Sequence, residues 1–165
     1  VLHGDWIDAA RPDDEVWADI TAMLLASPTA AKSGETAEDW GIFDFEAFGP
    51  LRIAEQESIT YVTAVARGIA EYGPAFAAWA DVMEDEEALS SFADNYLGAY
   101  DSAAAYAEQL FEDFGYSQLL DDVLPDGIRR YVTVDSAGLA QDMWLSGDIQ
   151  ICRRDDGGVW IFRGG

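Results

Sequence analysis

Carboxylates are the residues of this chain whose type and spacing could do chemistry. The run DVMEDEEALSSFADNY, residues 81–96, carries six of them (Asp81, Glu84, Asp85, Glu86, Glu87 and Asp94) and neither Lys nor Arg. Paired carboxylates can act as general acid and base, and clustered ones can hold a divalent cation, but both uses need a shaped setting. With 32 Asp and Glu in the chain, acid pairs arise by number alone and carry no specificity for catalysis. Acids exposed on a helix hold Ca²⁺ poorly, and the sequence has no EF-hand spacing, Gly-rich phosphate loop, Gly-x-Ser-x-Gly elbow or HExxH pair. His3 is the single histidine and Cys152 the single cysteine, which excludes an internal disulfide and argues against zinc sites and Ser-His or Cys-His nucleophiles. The expectation is a non-enzyme with no catalytic residue, no metal and no cofactor.

The remaining use of carboxylates is as charge. Residues 68–128 contain 14 Asp or Glu and no Lys or Arg, within a chain of 165 residues and net charge −23. A helix surface shaped for stability alternates Glu and Lys at i,i+4, each pair contributing about 0.2–0.5 kcal/mol, and like pairs cost a similar amount. Asp81 with Asp85 and Glu108 with Glu112 are like pairs at that spacing. Three readings compete: an ordinary solvated acidic face, adaptation to high salt, and imitation of a polyanion. High-salt adaptation spreads acids over every surface and does not confine the shortage of base to the middle third. Imitation fits in magnitude, because carboxylates at i,i+3 or i,i+4 sit about 5–6 Å apart at Cβ, near the phosphate spacing along a DNA strand. So acidic a chain is not drawn to nucleic acid or an anionic membrane, and a basic protein partner is expected instead.

The elements that must position these acids follow from periodicity. Half the residues are hydrophobic and six are Trp, enough for a folded core. Pro12 and the acids after it open a helix with Val16, Ile20, Met23 and Leu24 on one face. A loop rich in small residues follows around 27–39, and WGIFDFEAFG, residues 40–49, reads as a strand. Ile59, Val62, Val65, Ala66 and Ile69 form a helical stripe that ends at Gly73, and Pro74 starts the next helix. Leu89, Phe92, Ala93, Tyr96 and Leu97 predict a further one. Ala103, Tyr106, Ala107, Leu110, Phe111 and Phe114 share one helix face, with Asp101, Glu108 and Glu112 opposite. Short helices are expected near 117–124 and 126–134, and Asp156-Gly157 turns a closing hairpin. The predicted fold is α+β, an elongated chain of three small units: an N-terminal α+β unit at 1–54, a central helical acidic unit at 55–98 and a C-terminal α+β unit at 99–165. No stretch approaches the roughly 20 apolar residues that span a bilayer, so a soluble, cytoplasmic protein is expected. The start at Val1, not Met, leads us to expect further N-terminal sequence.

Four stretches carry a resemblance to a known family. LHGDWIDA at 2–9, WGIFDFEAFG at 40–49, DNYLGAYDSAAAYAEQL at 94–110 and IRRYVTVDSAGLAQDMWLSGDI at 128–149 resemble, in order and spacing, the ArdA family of antirestriction proteins. Members usually begin with an additional strand, so the first sheet of the N-terminal unit is expected to lack its first strand here. The resemblance implies a mimic of bent B-form DNA that occupies the DNA-binding groove of type I restriction-modification enzymes, at their methyltransferase and specificity core. It also implies a homodimer joined through the C-terminal part. Such a dimer doubles the net charge of −23, matching about 23 base pairs at two phosphates each. The alternative is an acidic interaction module for another basic DNA-binding protein.

Mimicry works through an array, so the phosphate-like residues are chosen from the base-free segment: Asp81, Glu84, Asp85, Glu86, Glu87, Asp94, Asp101, Glu108 and Glu112. For each alone, a solvated surface position is the competing reading. Tyr131, Met143 and Trp144 are the candidate dimer contacts, with core packing as their alternative. The Ser146-Gly147-Asp148 turn matches the family's most recognisable motif, and a tight lead into a strand is its expected role.

Overall fold

Contacts in a computed structural model, which describes residues 3–28, 32, 39–83 and 86–165, divide the chain into two compact units, Val1–Phe92 and Ala93–Gly165. In the first, helix α1 (Asp13–Leu25) follows Pro12, with Asp13, Asp14 and Glu15 in the first turn, where the helix dipole favours negative charge. Its buried residues Val16 and Ile20 pack with Ile59, and Ile7, Leu24, Trp40 and Ile42 close around them. Helix α2 (Ile59–Tyr72) is capped by Ser58, whose hydroxyl accepts from the Tyr61 amide at 3.4 Å. Gly73, at φ 77°, stops α2, and Pro74 begins α3 (Pro74–Met83), which buries Ala75 through Ala80 without a break. A residue buried on every side of the helix for that length places α3 in the middle of its unit. The rings of Tyr72, Phe76, Trp79 and Phe92 cluster here, and Trp79 Nε1 donates to the Ala88 carbonyl at 3.0 Å, tying down the single turn α4 (Glu86–Leu89).

The second unit opens in another single turn, α5 (Phe92–Asn95), whose first residue still belongs to the first unit. Strand β1 (Tyr96–Tyr100) follows directly, then helices α6 (Ala103–Asp113), α7 (Tyr116–Val123), α8 (Asp126–Arg129) and α9 (Ser136–Ser146), and strands β2 (Ile149–Arg153) and β3 (Val159–Arg163). The three strands form one antiparallel sheet in the order β1-β3-β2, with Ile151 opposite Ile161 and a register shift between Tyr96 and Gly98. One face of the sheet supplies Ile149, Ile151, Val159 and Ile161 to a core completed by Ala103, Tyr106 and Leu110 of α6 and Met143 of α9. Between β2 and β3, Gly158 O accepts from Arg154 N at 2.8 Å and Gly157 takes φ 91°, giving a tight three-residue loop around the expected Asp156-Gly157 turn.

The α+β class expected from sequence is the class observed. Three local expectations are corrected. Residues 40–49 form no strand: the segment's one backbone bond to a distant part of the chain among the described residues runs from Ile42 N to Glu55 O at 2.8 Å, and Ala47 at φ 65° breaks the extended run. Tyr96 and Leu97 do not continue a helix but enter β1, because β3 offers them a ladder from more than sixty residues away. Phe114 leaves the α6 core stripe to cap the helix and is 66% exposed. Helix α1 shares its apolar cluster with Ile59 of α2. Most of the loop expected at 27–39 lies outside the described residues. No helix among those described is long and apolar enough to cross a membrane.

Candidate partner-binding surface

Helix ends and turns carry most of the acids in the base-free segment. In the first unit Asp81 sits in the last turn of α3, and Glu86 and Glu87 open α4; all three are exposed. Glu84 and Asp85 lie outside the described residues. In the second unit Asp94 is exposed on α5, Asp101 precedes α6, and Glu108 and Glu112 stand on the α6 face opposite its buried Tyr106 and Ala107. Sequence reasoning left out Glu71, Asp113, Asp121, Asp122 and Asp126, which are also exposed. They belong to the same base-free stretch, and that signal alone would have found them.

The contacts these carboxylates make differ from those made elsewhere in the chain. Outside residues 68–128, arginines pair with four of the described acids, Arg11 with Asp19 and Glu15, Arg67 with Asp13 at 3.6 Å, and Arg154 with Asp156, while hydroxyls of Thr63 and Ser146 donate to Asp13 and Asp148. Inside it, the donors are neutral. Gln109 Nε2 donates to Asp113 at 2.8 Å and Gln118 Nε2 to Asp122 at 2.9 Å, both at i,i+4, while the Ser117 hydroxyl donates to Glu112. An amide or hydroxyl at these positions aims a carboxylate without cancelling its charge, whereas a lysine there would do both. Asp121 is the exception, held by Arg129 Nε at 2.6 Å just beyond the segment's end. Among the described residues, Asp81, Glu86, Asp94, Asp101 and Glu108 enter no ion pair.

Helix polarity works against these positions as well. Helices α3, α6 and α7 have no basic residue in the last turn, yet Asp81, Glu112, Asp113, Asp121 and Asp122 stand near those C-termini, where the dipole already presents partial negative charge. Fields from helix ends and side chains therefore add. The result is a strongly anionic surface on each unit, built from fixed helices.

The remaining sequence candidates fall on the second unit. Tyr131 is 76% exposed and Trp144 is 49% exposed, whereas Met143 packs against the sheet core. The Ser146-Gly147-Asp148 turn closes α9: Gly147 is left-handed at φ 82°, Asp148 N bonds Met143 O at 2.9 Å and Gly147 N bonds Trp144 O at 3.2 Å. The Ser146 hydroxyl donates to Asp148 Oδ2 at 2.6 Å, and Asp148 O accepts from Gly164 N at 2.8 Å, so the motif leads the chain from helix into β2.

No curated protein and no solved structure matches the chain. A family model does, that of the antirestriction protein ArdA, over residues 1–155 of 165. These carboxylates, three of them held by neutral donors and Asp121 by Arg129, thus stand on a chain that belongs to the ArdA family of antirestriction proteins.

Proposed function

We propose that this antirestriction protein inhibits type I restriction-modification enzymes by occupying their DNA-binding groove as a mimic of B-form DNA. The partner is the methyltransferase and specificity core, whose Lys and Arg side chains meet carboxylates in place of phosphates. The observation that carries this reading is the base-free stretch 68–128 with its exposed acids, in which glutamine and serine donors hold Asp113, Asp122 and Glu112 without neutralising them. A solvated acidic face needs no such ordering. In this reading the protein works as a homodimer in the bacterial cytoplasm, joined through its second unit, with no cofactor and no direct contact with nucleic acid.

A titration tests it. Inhibition of a purified type I enzyme should be overcome by added target DNA and should weaken as salt rises, because each paired charge is screened. Inhibition that DNA cannot relieve, or that is indifferent to ionic strength, would refute the mimic.

A further inference from the structure

Charge does not account for the turn between α6 and α7. Phe114 caps α6, Tyr116 opens α7, and their rings stack 5.8 Å apart at 27° from parallel while remaining 66% and 47% exposed. Phe111 packs against Tyr116 at an angle, its ring 5.3 Å away and tilted by 55°. Gly115 between them is left-handed, at φ 72°, and a Cβ there would meet nothing within 4 Å, so the turn stands clear of its surroundings. Next to the turn are Glu112 and Asp113 of α6, and further along α7 comes Asp122, each held by a neutral donor. A short stack of flat apolar rings bordered by fixed anions has the chemical layout of stacked bases between phosphates.

We propose that the Phe114–Tyr116 stack is the anchor of the inhibitory surface, entering the part of the partner's groove that receives bases while Glu112, Asp113 and Asp122 meet the cations that receive phosphates. The proposal rests on the mimic reading and adds to it a base-like contact. The occupant is a cationic protein groove with an apolar or aromatic slot, a chemistry that enzymes modifying bases must have in order to take a base out of the stack. A second copy of this chain fits less well. Bringing two such turns together would set Glu112, Asp113 and Asp122 of one copy against the same residues of the other, and like charges across an interface suppress pairing. Buried aromatic anchors ringed by polar contacts are where binding energy concentrates.

The test compares full-length wild type with Phe114→Ser/Tyr116→Ser and with Glu112→Gln/Asp113→Asn, in inhibition of a purified type I enzyme across a salt series. Both changed sites are exposed, and sedimentation of each variant is measured alongside. The aromatic double variant should need about 30-fold more protein for half-inhibition. Its log–log salt dependence should keep the wild-type slope, because an aromatic contact releases no counterion. The carboxylate variant should flatten the slope, and Phe114→Tyr should behave as wild type. Inhibition within about threefold of wild type overturns the proposal, as does conversion of the aromatic variant to a smaller sedimenting species, which would make the turn a self-association surface. Wild-type protein that fails to compete with DNA would sink the mimic reading itself, before any variant is compared.

Discussion

Asp13, in the first turn of α1, accepts a hydrogen bond from the hydroxyl of Thr63 on α2, a residue with no exposure to water. Arg67 adds to this bridge, with Nη2 3.6 Å from Asp13 and Nε donating to the Thr63 carbonyl at 3.2 Å. The bond from Thr63 holds the Asp13 carboxyl below its ordinary pKa, with Arg67 contributing less. A carboxylate whose folded pKa is depressed stabilises the fold above its unfolded value, about 3.9, and loses that contribution as pH falls through the folded value. Asp13→Asn should therefore melt at lower temperature than wild type at pH 7, with the gap closing as pH drops below about 4. Thermal melts along that series check it, and a gap as wide at pH 3 as at pH 7 would refute the assignment.

Helix α2 meets α3 across Gly68, where an added Cβ would lie 2.2 Å from Phe76 Cε1. Helix propensity alone favours alanine over glycine by up to about 1 kcal/mol, so the sign of Gly68→Ala separates the two effects. Overpacking should win, with a destabilisation of roughly 1–3 kcal/mol, and Phe76→Leu in the same chain should return part of it. Urea unfolding of the two single variants and the double variant measures the coupling.

In the second unit, Gly147 and Gly164 meet at the end of α9. Gly147→Ala places a side chain at φ 82°, a left-handed conformation that costs an L-residue about 1–2 kcal/mol. A Cβ on Gly164 would come 1.5 Å from the Gly147 carbonyl oxygen, which is backbone and cannot rotate aside. Gly164→Ala should accordingly be the more damaging change, and equal melting temperatures for the two variants would contradict this packing.

The helices were legible because their signals are local. Val16 and Ile20, Ile59, Val62 and Val65, and Tyr106 and Ala107 repeat at helical spacing and all prove buried. Strand β1 was not legible, since Tyr96–Tyr100 becomes a strand only by pairing with Val159–Arg163, and Leu97 also fits the period of the preceding turn. Residues 40–49 erred in the other direction: aromatic and β-branched content predicts a strand, but a strand needs a partner and, among the described residues, the segment's ladder is one bond. The acid segment was legible as charge. That glutamines and a serine would orient it depends on side-chain directions at i,i+4 and across the α6–α7 turn, and composition does not record these.

Salt should act in opposite senses on stability and on inhibition. At net charge −23 the folded state repels itself, and with Asp81, Glu86, Asp94, Asp101 and Glu108 outside any ion pair among the described residues, screening relieves that repulsion. Raising NaCl from about 50 to about 500 mM, where the Debye length shortens severalfold, should raise the melting temperature while inhibitory potency falls. Parallel melting and inhibition curves over one salt series test this, and a melting temperature that falls with salt would show that attraction between charges dominates the fold.

The strand order β1-β3-β2 places the latest of the described strands at the centre of the sheet. During synthesis, Tyr96–Tyr100 thus emerges from the ribosome with nothing to pair with until residue 163 has followed, and the apolar side of α6 waits with it. A nascent chain of this protein can assemble its first unit early, but the second is completed only after its last strand has been translated. A message cut short even a few codons before that point would yield a product with half a working surface and an unsheltered core.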